Sequence, residues 1–132
     1  MPPAEAEPFA YAILRLVPRV ERGEQMNAGV VLFCRRRGFL GARVALDESR
    51  LAALAPGLDP ATVRPHLEAL EKIAAGDPAG GAVAAMEQSE RFGWLVAPSS
   101  TIVQPSPVHT GMSDDPQAML DHLFAELVAP PG

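Results

Sequence analysis

Two apolar runs separated by a charged hinge set the main constraint on this fold. In YAILRLVPRVERGEQMNAGVVLF, residues 11–33, hydrophobic segments lie on either side of Arg19, Glu21, Arg22 and Glu24, and the second opens on Asn27-Ala28-Gly29. From Phe9 to Val17, one parity carries Ala10, Ala12, Leu14 and Leu16, and the other carries Phe9, Tyr11, Ile13, Arg15 and Val17. Side chains alternate faces along a strand, so both faces are apolar except at Arg15. Strands of this kind lie centrally or are covered on both sides. Asn27 to Cys34, with consecutive Val30, Val31, Leu32 and Phe33, reads as a second such strand. Gly29 weakens a strand and marks a bulge or the close approach of another backbone. Arg35 to Gly38 is turn-like, with Gly38 suited to a positive φ. Phe39 to Leu46 returns as a third strand, half-exposed, with Leu40, Ala42, Val44 and Leu46 on its apolar face. Three antiparallel strands in a meander are the simplest arrangement.

Helical periodicity follows. Asp47 is positioned to cap a short helix carrying Leu51 and Leu54. A longer helix carries Val63, Leu67, Leu70 and Ala74 on one face. Proline has no N–H to donate and is best tolerated in a first turn, so Thr62 as N-cap accommodates Pro65. Residues 77–93 are ambiguous, with Ala82 to Met86 forming a short helix at most. Trp94 to Gly111 reads as extended, with a strand from Ser100 to Gln104 that Pro105 confines to an edge. Asp115-Pro116 starts the last helix, which buries Leu120, Leu123, Phe124 and Leu127 and stops at Pro130-Pro131. Strands grouped ahead of helices predict an α+β fold. The expected architecture is an antiparallel sheet of three to four strands, an N-terminal meander plus a late edge strand, packed against helices. Residues 1–8 are expected to be a disordered tail, and residues 9–129 a single domain.

At 132 residues, 48% hydrophobic and 20% charged, the chain has enough apolar surface for one core. A net charge of −5 argues against a general nucleic-acid or anionic-membrane binder. The run Arg35-Arg36-Arg37 is the one local exception: a solvated turn is the simpler reading, and a phosphate contact to nucleic acid is the alternative. The single cysteine, Cys34, excludes an internal disulfide and lies in an apolar run as an expected buried thiol. MPPAEAEP shows no apolar segment behind a positive start, and no apolar stretch reaches the roughly 20 residues of a membrane span. A cytoplasmic protein is expected.

The constellations for chemistry are sparse. His66, His109 and His122 have no metal-ligand spacing, so no metal and no cofactor are expected. No phosphate-binding glycine motif and no nucleophile elbow occur. Arg15 is unusual: a charge amid apolar strand residues costs several kcal/mol unless it reaches water or a carboxylate. Glu24 or Asp114 is the expected partner. Arg19 and Arg22 flank the hinge and suit an anion, or pair with Glu21 and Glu24. The late segment SSTIVQPSPVHTG supplies Thr101, Gln104, Ser106, His109 and Thr110, polar side chains suited to a fixed binding edge.

These two stretches also carry a resemblance. Residues 11–33 resemble the opening motif of the DUF3037 family: an apolar strand, a proline, an Arg-Gly-Glu hinge and Asn-x-Gly-Val-Val-Leu. ERFGWLVAPSSTIVQPSPVHTG, residues 90–111, resembles its second signature, and Asp114-Asp115-Pro116 leads into its terminal helix. The resemblance implies a bacterial family without an established activity and an accessory role beside a HipA-like kinase. Arg22, Gly23, Glu24, Asn27 and Gly29, with Ser100, Thr101, Gln104, Ser106, His109, Thr110 and Gly111, are the positions that carry over. The expected function is a small accessory or binding module with a protein partner. Its contact surface is expected where the hinge meets the SPVHTG segment, using Arg15, Arg22, Glu24, Asn27, Thr101, Gln104, Ser106, His109 and Thr110. The alternative is an enzyme acting on a phosphorylated or carboxylated small molecule or nucleic-acid end. Arg15, Arg22 and Arg91 would then hold the anion, and His109 or Glu24 would transfer the proton.

Overall fold

The computed structural model describes residues 5–99 and 101–129. The expected strand start at Ser100, the Pro130-Pro131 stop and the first four residues of the tail lie outside that range. The described residues form an α+β fold with five strands and four α-helices. The strands are β1 (Glu7–Leu16), β2 (Met26–Cys34), β3 (Phe39–Val44), β4 (Val103–Pro105) and β5 (His109–Ser113). The helices are α1 (Glu48–Leu54), α2 (Pro60–Ala75), α3 (Gln88–Leu95) and α4 (Pro116–Leu127).

The meander forms as the apolar runs and the third strand's alternation predict. β1, β2 and β3 pair antiparallel in sequence order, and the far side of β1 pairs with β4 and β5 end to end, giving an open five-stranded sheet. The first strand begins at Glu7, two residues earlier than its apolar period suggests. Arg35–Arg37 make a single 3-10 turn closed by Gly38 at φ 60°. The arginine run is tied to the start of β1: Arg36 pairs with Glu7 at 3.7 Å and Arg37 donates to the Glu5 carbonyl at 2.7 Å.

Helices cover one face of the sheet and, over β2 and β3, the other, which explains the apolar residues on both sides of β2. On one face Ala12, Leu14, Leu16, Ala28 and Val31 pack with Leu51 of α1, Val63 and Leu67 of α2, and Phe92 and Leu95 of α3. On the other, Phe9, Val30, Leu32 and the free thiol of Cys34 pack with Leu120 of α4. Helix α4 also covers the second face of β3, expected to be solvated. There Arg43 lies over the Phe124 ring at 4.1 Å and pairs with Asp121 at 3.1 Å.

Aspartates start three of the four helices. Asp47 accepts the Arg50 N–H, Asp59 the Ala61 N–H and Asp115 the Ala118 N–H. The second differs from the expected Thr62 cap. Asp59-Pro60 begins α2, leaving Pro65 inside the helix rather than in its first turn. Burial of Val63 and Leu67 against the sheet outweighs the hydrogen bond that Pro65 cannot make. Residues 77–93 resolve into two 3-10 turns, Pro78–Gly80 and Val83–Ala85, followed by α3. Trp94 and Leu95 are therefore helical, not extended, and Leu95 is held by burial in the core.

Candidate functional site

The register brings three polar residues from distant parts of the chain into one row. Arg15 on β1 stands opposite Asn27 on β2 and opposite Gln104 on β4. A bulge makes the row possible. The β1–β2 register shifts after Leu14, which pairs with Gly29 while Arg15 pairs with Asn27, so Ala28 is extra. A bulge re-aims the residues beside it. Asn27 is turned to the α4 face, where its Nδ2 donates to the Leu127 carbonyl at 2.9 Å. Gly29 permits this crowding: a Cβ there would lie 2.8 Å from Val44 Cγ1 and 2.9 Å from the Arg43 carbonyl.

From Asn27 at the C-terminal end of α4, the row runs onto a part of the sheet that the helix leaves open. Helix α4 rests on β2 and β3, so the same face of β1 shows half-buried Tyr11, Ile13 and Arg15 along a strip. His109 stands opposite Tyr11 and their rings lie 5.3 Å apart. Four residues of strand at about 3.3 Å each put His109 about 13 Å along the strip from Arg15. The strip thus runs from His109 and Tyr11 at one end to Arg15, Asn27 and Gln104 at the other.

Arg15 does not find the carboxylate expected for it. Glu24 pairs with Arg22 in the hinge, and Asp114 lies beyond the opposite end of β1. Among the described residues Arg15 makes no ion pair, and its Nε is buried with no hydrogen-bond partner. Gln104 donates to the Thr101 carbonyl at 3.1 Å, and Asn27 to Leu127, which leaves the acceptor oxygen of each amide free of partners among the described residues. The row therefore offers a cation flanked by two amide acceptors.

The other expected site residues are distributed around this strip. Thr101 is exposed and its hydroxyl donates to the Val103 carbonyl at 2.8 Å. Ser106 is buried against Ile13. Thr110 stands opposite Ala10 at the outer edge. The hinge meets the late segment at its base, where the Val17 N–H donates to the Ile102 carbonyl at 2.7 Å. Its tip is separate: Arg19 pairs with Glu21 at 3.1 Å and Arg22 with Glu24, all at the surface. The Glu21 carboxyl is held below its usual range, first by a backbone hydrogen bond at its own residue and then by the Arg19 and Arg22 charges. Arg22 and Glu24 line a cleft of about 590 Å³ against Leu54, Pro56 and Leu58. A second, mostly apolar cleft of about 460 Å³ lies on the opposite side of the sheet, between His66 and Ile73 of α2, Trp94 and Val103. Arg91 also belongs to that side, donating to the Met86 and Ala74 carbonyls at 2.7 and 3.4 Å, and is not part of the Arg15 row. Among the described residues no three His, Cys, Asp or Glu side chains gather as metal ligands, and no helix is long and apolar enough to cross a membrane.

Two features of the strip escaped sequence reasoning. Tyr11 and Ile13, its apolar floor, read as ordinary core residues, because only the placement of α4 leaves them open. The face of Asn27 follows from the bulge, for which Gly29 was the available signal. The family described as a protein of unknown function, DUF3037, matches the chain over residues 11–128. No curated protein and no solved structure matches it.

Proposed function

The chain belongs to the DUF3037 family, and on that premise we propose that it is a small cytosolic accessory module that holds a protein partner on the open strip of its sheet. Arg15 carries this reading: it is a half-buried residue whose Nε is sealed without a partner and which meets no carboxylate among the described residues. A charge kept in such a position lowers stability unless a counter-charge meets it. An acidic side chain of a partner supplies that counter-charge, while Asn27 and Gln104 accept hydrogen bonds on either side. The strip's shape favours a macromolecule. It is about 13 Å long and forms no part of the two clefts, whereas small ligands favour concave sites. Tyr11 and His109 add the aromatic surface that protein interfaces favour.

A HipA-like kinase is the partner that the family resemblance implies and the first to test. The chain is co-expressed with a HipA-like kinase, and the affinity of the purified pair is measured by calorimetry. Wild type is expected to bind, and Arg15→Met to weaken binding by at least about tenfold with the fold retained. Undiminished binding by Arg15→Met removes the strip as the contact surface. No binding by wild type removes the kinase as the partner.

A further inference from the structure

The two halves of the outer sheet edge are finished in opposite ways. The main-chain groups of Ile13 both turn outward to this edge: its N–H donates to Ser106 Oγ, and its carbonyl accepts from the Ser106 N–H, each at 2.8 Å. Backbone groups alternate sides along a strand, so Tyr11, Phe9 and Glu7 also face β5. Their partners His109, Gly111 and Ser113 are thereby used in the β1 ladder. Thr110 and Met112 must direct their N–H and carbonyl groups away from the sheet.

On β4 the same logic turns Val103 and Pro105 outward, because Gln104 is paired with Arg15 and Ile102 with Val17. That half is closed. The Val103 carbonyl accepts from its own neighbour, the Thr101 hydroxyl, and Pro105 has no N–H. Proline and self-capping are ways in which edges avoid pairing. Strand β5 has neither: His109-Thr110-Gly111-Met112-Ser113 contains no proline, lysine or carboxylate. Among the described residues no hydrogen bond is made by the main chain of Thr110 or Met112 other than to β1. Two of the exposed large hydrophobic residues lie here, Met112 within the strand at 60% and Val108 just before it at 43%.

We propose that β5 pairs antiparallel with β5 of a second copy of this chain, about a two-fold axis at Thr110, joining two five-stranded sheets into one. The sequence of the edge is self-complementary in this register. Thr110 faces its own copy, a favourable Thr–Thr cross-strand pair, and each exposed Met112 meets the exposed Val108 leading into the other strand. No like charges meet across the axis within the strand. The two surfaces share β5 through His109 but differ in the side chains they use: Thr110 lies opposite Ala10, on the face of α1–α3, whereas Arg15 lies on the α4 face.

The test uses a charge placed on the axis. Thr110 is exposed, and its main-chain groups are not needed by β1, so Thr110→Lys and Thr110→Glu should both fold, which circular dichroism verifies. In sedimentation velocity the wild-type chain should move from monomer to dimer as concentration rises. Each variant alone sets like charges face to face and should weaken self-association by at least about tenfold. An equimolar mixture of the two should restore a dimer. A wild-type chain that stays monomeric, dimers of either variant as tight as wild type, or a mixture no tighter than its components would each overturn the proposal. Loss of the kinase interaction with an intact dimer, or the reverse, separates this inference from the proposed function.

Discussion

Ser106 satisfies both main-chain groups of Ile13, accepting its N–H through Oγ and donating its own N–H to its carbonyl, each at 2.8 Å. Between this contact and the Tyr11–His109 pair, the late segment has one residue more than β1. A serine hydroxyl therefore stands in for a backbone carbonyl where the edge strand breaks, and its own proton goes to the Pro107 carbonyl at 2.9 Å. Ser106→Ala removes the acceptor and leaves the Ile13 N–H without a partner. The expected loss is about 1–3 kcal/mol, read as a lower urea midpoint with an unchanged slope. Hydrogen exchange at the Ile13 amide should accelerate in the same variant.

Gly111 is constrained by Phe9 in a similar way. The two residues are opposite in the ladder, and a Cβ at Gly111 would lie 2.6 Å from the tip of the Phe9 ring. The ring covers the glycine on the α4 face and is itself buried. Gly111→Ala should cost about 1–3 kcal/mol through overpacking. Much of that cost belongs to one contact, so adding Phe9→Leu should recover part of it. A double-mutant cycle measured by urea unfolding checks the coupling, which should be at least about 0.5 kcal/mol. Additive effects would show that the glycine is needed for another reason.

Pro65 offers a change of the opposite sign. It is exposed within α2, five residues past Pro60, where its missing N–H leaves the Ala61 carbonyl without its helical donor. Pro65→Ala restores that bond and removes the ring's clash with the preceding turn. A helix-interior proline is about 3 kcal/mol less favourable than alanine, and the greater freedom of the unfolded alanine chain returns about 0.4–1 kcal/mol. A net gain of about 2 kcal/mol is expected, visible as a higher melting temperature.

The parts of this fold that were legible in the sequence are those set by neighbours in the chain. Two short apolar runs, residues 9–17 and 27–34, and the alternation of the third strand yield the meander, and Asp47 and Asp115 announce their helices because a cap bonds to residues two or three positions on. Asp59-Pro60 carried the same signal as Asp115-Pro116, and Thr62 drew attention away only because it placed Pro65 in a first turn. What remained hidden is set across the sheet. His109–Ser113 has a glycine and only one β-branched residue, and it becomes a strand through the open side of β1. The Arg15–Asn27–Gln104 row depends on a bulge and on a pairing between residues about ninety positions apart in the chain, and no local period encodes either.

Arg15 itself separates a structural role from a recognition role by the sign of one measurement. If its side chain held the sheet together, replacing it would cost stability, as truncating a paired buried charge does. Its Nε is instead sealed without an acceptor, and no carboxylate of the described residues meets it. Methionine keeps an unbranched stem at this position while removing the polar group. Arg15→Met should therefore leave stability unchanged or raise it by about 1 kcal/mol, the saving of one unmet desolvation. Chemical denaturation of the isolated chain reads this directly. A loss of more than about 1 kcal/mol would mean that the guanidinium works within the fold. An unchanged or raised midpoint would leave the charge without an internal purpose, which is the condition expected of a residue kept for contact with another molecule.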